Sequence, residues 1–185
     1  MKRLAMGLGL TALVALPLSA QAPSPAPVDL RSALQHMHAD YVEAFVVSEG
    51  FGESRLTPMM RLRWSYDPVG DSKLRIGDVQ LIGIARHDPP VVYSSVFKGF
   101  EHGENGPELV DKSARETNAG EAQALLALAS GEEIVFTPES GGLRVIGPIR
   151  ARSQCLDCHR GKQAGELLGA LSYRLEPAQL EDERR

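Results

Sequence analysis

The chain is poor in cysteine, with two in 185 residues, and poor in aromatic side chains, at 5% with a single tryptophan. Two cysteines are too few for a disulfide-stapled mini-protein or a tetrahedral all-cysteine zinc site. So few aromatics leave no stacking surface for nucleic-acid bases. Positive charge is not in excess either: 20 Lys+Arg stand against 24 Asp+Glu, a formal net charge of −4. A polyanion has nothing to bind, and nucleic acid is excluded as a partner. No Ser/His/Asp order or phosphate-cradling glycine loop stands out, and the paired Glu132 and Glu133 read as a solvated face. With no catalytic constellation apparent, an enzyme is the less expected reading. At 43% hydrophobic and 24% charged, the chain has the balance of an ordinary globular domain, and its length suits one. Nothing in it indicates an oligomer.

The only extended apolar run is at the start. Lys2 and Arg3 precede Leu4–Leu16, Pro17 ends the run, and small residues follow to Ala20 and Ala22. That is the layout of an export signal, residues 1–22, with cleavage after Ala20 or Ala22. The run is shorter than the ~20 residues a spanning helix needs, so no stable membrane insertion is expected after cleavage. No cysteine lies at the junction for lipid attachment. The expected location is periplasmic or otherwise extracytoplasmic. Residues 23–28 continue a proline-rich stretch and read as a short linker. Residues 29–176 form the single domain, and 177–185 a charged tail.

Within the domain, Asp29 stands as an N-cap before Leu30, Ala33, Leu34, Met37, Tyr41, Ala44 and Phe45, which recur at helical spacing. Residues 53–72 carry no clean period, and 99–107 are glycine-rich and loop-like. Ile76–Ile84 and Val91–Phe97 are rich in β-branched residues and flank Asp88-Pro89-Pro90, which predicts two strands and a turn. Asn118–Ala129 is a strong helix former ended by Gly131. Residues 132–137 and 143–149 flank Glu139-Ser140-Gly141-Gly142 as a hairpin, and Leu167–Leu175 alternates as a last strand. Helices at the start and middle with some five strands give an α+β domain.

Cys155-Leu156-Asp157-Cys158-His159 is C-x-x-C-H, the attachment signature of c-type haem. Two thiols three positions apart can add across the two vinyl groups on one porphyrin edge. The neighbouring histidine is then held where its imidazole reaches the iron. Export fits this, because c-type maturation takes place outside the cytoplasm. Three other readings compete. A thiol–disulfide redox pair wants a thioredoxin-like βαβ context, and a structural disulfide or a zinc site gains nothing from His159. Small helical cytochromes place the motif early, with a ligating methionine after it; here the last methionine is Met60. The strand-like segments and the glycines after His159 also argue against a four-helix-bundle cytochrome.

Arg115-Glu116-Thr117-Asn118, Gly147-Pro148-Ile149, the C-x-x-C-H segment and Gly165-Glu166-Leu167-Leu168-Gly169-Ala170-Leu171-Ser172 together resemble the single-haem "c-type haem family protein" group, a domain of unknown function with a PAS-like fold. The resemblance is clearest over residues 108–175. It implies one covalent haem c held against an antiparallel sheet, with signalling or redox roles. The stretch Arg160-Gly161-Lys162-Gln163 is shorter than the group's pattern between motif and final strand. In these terms the fold is a PAS-like antiparallel sheet with an N-terminal helix and a C-terminal haem-attachment segment.

His159 is the expected axial ligand of the iron, with Cys155 and Cys158 as the tethers. The sixth ligand is open among Met37, His38, Met59, Met60, His87 and His102, and a five-coordinate iron is the alternative. On a helical wheel Met37 falls mid-face, His38 at the edge and His36 on the polar side. Arg150, Arg152 and Arg160 bracket the motif as partners for haem propionates or as a solvated rim. The function expected is one-electron transfer with an unidentified redox partner. The alternatives are a haem-based redox or gas sensor, and a haem-free CxxC thiol redox protein.

Overall fold

The computed structural model describes residues 28–48, 66, 68–97, 109–140 and 142–177. The expected export signal, the linker apart from Val28, the 99–107 loop and the tail beyond Pro177 lie outside the described residues.

The N-terminal helix, α1, runs Val28–Val47, so Val28 and Asp29 belong to its first turn and Asp29 does not precede it. Leu34, Met37 and Tyr41, at helical spacing, are fully buried, and His36 is exposed. The apolar stripe is what holds this helix in place, each buried Leu or Met contributing about 1.5–3 kcal/mol. Strands β1 (Leu74–Gly83) and β2 (Val91–Phe97) form the expected pair across the Asp88–Pro90 turn. The next strand, β3 (Leu109–Glu116), has no counterpart in the periodicity. The second helix, α2, covers Ala119–Ala129. Then β4 (Val135–Glu139) and β5 (Gly142–Arg150) form the hairpin, a four-residue helical turn α3 (Ser153–Leu156) carries the first cysteine, and β6 (Leu167–Pro177) closes the domain.

All six strands join one antiparallel sheet in the order β3-β2-β1-β6-β5-β4. The domain is therefore α+β, an N-terminal helix and a six-stranded antiparallel sheet with two further short helices. The sixth strand is β3, at an edge, where the exposed Ser113, Arg115 and Glu116 give it the polar character that keeps edges from pairing with other chains.

Each face of the sheet has its own core. On one face α1 packs over Val79, Leu81, Val145, Ile149, Leu171, Tyr173 and Leu175. On the other, Ala124, Leu125 and Leu128 of α2 pack on Ile82, Val92, Ile146 and Ala170. Among the described residues no helix is long and apolar enough to cross a membrane.

The start of α2 is fixed by a capping box. Asn118 Oδ1 accepts from the Glu121 backbone N–H at 2.9 Å, and Glu121 Oε2 accepts from the Asn118 N–H at 2.9 Å. Arg115, at the end of β3, adds two bonds of 2.7 Å to the Glu121 carboxylate. Burial alone would push the Glu121 carboxyl up, but these donors hold it below the usual carboxylate range. The Arg-Glu-Thr-Asn sequence thus works as a strand-to-helix joint. Asn118→Ala should cost about 1 kcal/mol of unfolding free energy in urea titration. Arg115→Ala should cost more than that, because it strands a buried carboxylate.

Candidate functional site

Both cysteines and His159 line a cavity of about 460 Å³ on the α1 side of the sheet, beyond the C-terminal end of that helix. The volume is in the range of cofactor sites. Its position follows from register. Gly83 of β1 pairs with Gly169 of β6, which in turn pairs with Ile149 of β5. Both glycines line the cavity floor, and the His87 imidazole covers the face of Gly83. Leu81, Tyr93 and Ile149 continue the floor, and Phe45 and Val46 of α1 form one wall. A second wall is the 84–87 turn, and a third is the segment from Gln154 to His159.

The Cys155–His159 segment is held by its backbone. The Cys155 N–H donates to Arg152 O at 2.9 Å and the His159 N–H to Cys155 O at 2.9 Å, so the motif is wound in tight turns. The Ala151 N–H donates to Glu166 O and the Gly165 N–H to Ala151 O, closing the loop between β5 and β6. Cys155 is half-buried, Cys158 is exposed, and neither is in a disulfide. The Arg86 guanidinium donates to Cys158 O at 3.0 Å, tying the 84–87 turn to the motif.

His87, in that turn, also lines the cavity. Its Nε2 is 3.1 Å from the Tyr93 hydroxyl, and the two rings meet edge-on with centroids 5.6 Å apart. The imidazole rests against Gly83, where an added Cβ would lie 2.7 Å from its Cδ2. Of the described candidates for the sixth ligand, His87 alone shares the cavity with His159.

The others are elsewhere. Met37 lies in the α1–sheet core. His38 is buried with both ring nitrogens engaged: Nε2 lies 3.0 Å from Pro148 O, and Nδ1 lies 2.8 Å from the Tyr173 hydroxyl. A carbonyl can only accept, so Nε2 carries the proton and Nδ1 accepts from Tyr173. The ring sits on Gly147, where a Cβ would come within 2.6 Å of three of its atoms. Burial lowers the His38 pKa to about 4 against the raising effect of its bond to Pro148, so the ring is neutral at pH 7. Met59, Met60 and His102 lie outside the described residues.

The arginines divide similarly. Arg150 donates to the carbonyls of Leu128, Glu132 and Gly165, and Arg152 pairs with Glu43 of α1. Arg160 is exposed. Arg86, which charge spacing did not single out, is the arginine on the cavity.

The donor set therefore suits an extended flat cofactor better than a bare ion. Two thiols and two imidazoles line the cavity, with the apolar surface of Leu81, Ile149 and Phe45 between them. Among the described residues no three His, Cys, Asp or Glu side chains converge as a metal-ion cage would require. A c-type haem fits these residues: the thiols as tethers, His159 beside the second of them, and apolar side chains around the rest of the cavity. Searches of protein-family models, of curated proteins and of solved structures find no match to this chain.

His38 generates a pH prediction. Its folded pKa of about 4 lies below the ordinary 6.5, so the unfolded chain takes up the proton first. Stability should be complete above about pH 6.5 and fall by about 3 kcal/mol as pH drops through 4. Urea titrations across this range should show that slope, and a His38→Gln chain should lack most of it.

Proposed function

We propose that this is an exported mono-haem c-type protein that carries single electrons, with Cys155 and Cys158 as thioether tethers and His159 as an axial ligand. The observation that carries the reading is the shared cavity: the three motif residues face one space whose floor is the paired Gly83 and Gly169. The apolar side chains of Leu81, Ile149 and Phe45 in the same cavity give a planar group a nonpolar surface beside the thiols. The antiparallel sheet with a helix over the same face also supports the PAS-like reading drawn from the sequence resemblance.

Bound haem supplies a one-electron ferric/ferrous couple. The chain's own residues do the rest. The turns at 152–159 hold the two thiols and the imidazole on one short segment, so the residues that would tether and ligate the group are presented together. Leu81, Ile149 and Phe45 exclude water from the apolar part of the cavity, and the exposed Cys158 side leaves an edge open to a redox partner. The surroundings of the motif also bear on the thiol-redox alternative. The flanking strands β5 and β6 are antiparallel neighbours and α3 is one turn long, unlike a βαβ thiol site.

A sensor is the second reading, since a pocket that admits a small ligand beside the iron would serve it equally. Production with the c-type maturation machinery in an oxidising compartment distinguishes the readings. The intact chain should keep its colour through acid-acetone extraction, and a Cys155→Ala/Cys158→Ala double variant should lose it entirely. A reduced spectrum indifferent to carbon monoxide favours electron transfer; ready gas binding favours sensing. A colourless chain with two reactive thiols would overturn both haem readings.

A further inference from the structure

We propose that His87 supplies the second axial imidazole of the iron, positioned by Tyr93, Gly83 and Arg86. This rests on the haem reading above and goes beyond it, because the C-x-x-C-H motif names one axial ligand and leaves the other unassigned.

Four observations converge on this side chain. His87 lines the same cavity as His159, from the 84–87 turn rather than from the attachment segment. Its ring orientation is set on two sides, by the Tyr93 hydroxyl at Nε2 and by the bare face of Gly83. One ring nitrogen held by a hydrogen-bonding partner while the other is left to donate is how ligating histidines are usually oriented and tuned. The turn is fixed to the scaffold: the Ile84 and Ala85 N–H groups donate to Leu168 O at 3.3 and 3.0 Å, and the His87 N–H to Ile84 O at 3.0 Å. Finally, Arg86 bonds to Cys158 O at 3.0 Å, so the residue beside His87 is stapled to the residue beside His159. An exposed histidine with no role at the site would need none of these restraints.

In this arrangement Tyr93, Gly83 and Arg86 are positioning residues. Tyr93 governs the direction of the imidazole. Gly83 allows the ring to lie against the sheet. Arg86 keeps the ligand turn and the attachment segment in register. With both axial positions filled by imidazole, the iron is six-coordinate in both oxidation states, which suits electron transfer with little rearrangement and closes the site to gases.

Optical and electron paramagnetic resonance spectra of the haem-loaded chain test this. The ferric protein should be low-spin and six-coordinate. His87→Ala should convert it to high spin, open the ferrous form to carbon monoxide, and return to low spin when imidazole is added. His87→Met, which keeps a ligand, should stay six-coordinate with a raised reduction potential, and decides the matter if the alanine form folds poorly. Tyr93→Phe should retain low spin but bind carbon monoxide more readily, with ligation weakened about 10-fold. A covalently loaded wild type that is already high-spin overturns the assignment of His87 while leaving the haem reading intact. So does a His87→Ala form that remains low-spin with an unchanged potential. A wild type without covalent haem overturns both.

Discussion

The structure depends on the pairing of β1 with β6. The first strand of the sheet and the last lie side by side at its centre, paired from Leu74 opposite Pro177 to Gly83 opposite Gly169 with one bulge between Ile76 and Asp78. That long-range ladder joins the β1–β2 hairpin to the β4–β5–β6 meander. It brings the turn after β1 against the segment before β6, so His87 and Arg86 meet Cys155, Cys158 and His159 at one cavity. A one-residue slip would turn Leu81, Leu171 and Tyr173 away from α1 and replace the glycine floor with side chains. Packing and site are therefore specified by the same register.

The polar groups buried near this ladder reinforce it. His38 bridges α1 to Pro148 of β5 and Tyr173 of β6, with Gly147 leaving space for its ring. On the opposite face Arg144 of β5 reaches Ser172 of β6 and pairs with Glu139 of β4 and Asp78 of β1. Such networks hold strands to one arrangement because a slip leaves a buried donor or charge unpaired. The segments behind the family resemblance fall on these same features. Gly147-Pro148-Ile149 serves His38 and the cavity floor, Gly169 forms part of the floor, and Arg115 to Asn118 caps α2.

Much of the fold was legible in the sequence. The apolar stripe of α1, the helix-forming run of α2, the β-branched runs of β1 and β2, and the glycine turn before β5 each follow from local chemistry. β3 was not, because an edge strand with charged, exposed residues lacks the alternation that marks a half-buried one. The Cys155, Cys158 and His159 cluster was legible from spacing alone. The remainder of the cavity was not, since Gly83, Tyr93, Arg86 and Gly169 are ordinary residues until strand register gathers them. His38 and Met37 shared the helical face that suggested them as ligands, but that face packs on the sheet core rather than on the cavity.

The central claim is that the two thiols of one short segment hold one haem. Arg152 and Arg160 flank that segment, so trypsin releases it as a single peptide, residues 153–160, containing Cys155, Cys158 and His159. Mass spectrometry of this peptide, from protein produced with c-type maturation, measures the claim directly. The account predicts a peptide heavier by one haem, with neither thiol available for alkylation. An unmodified peptide, with two alkylatable thiols or a disulfide between them, would contradict it.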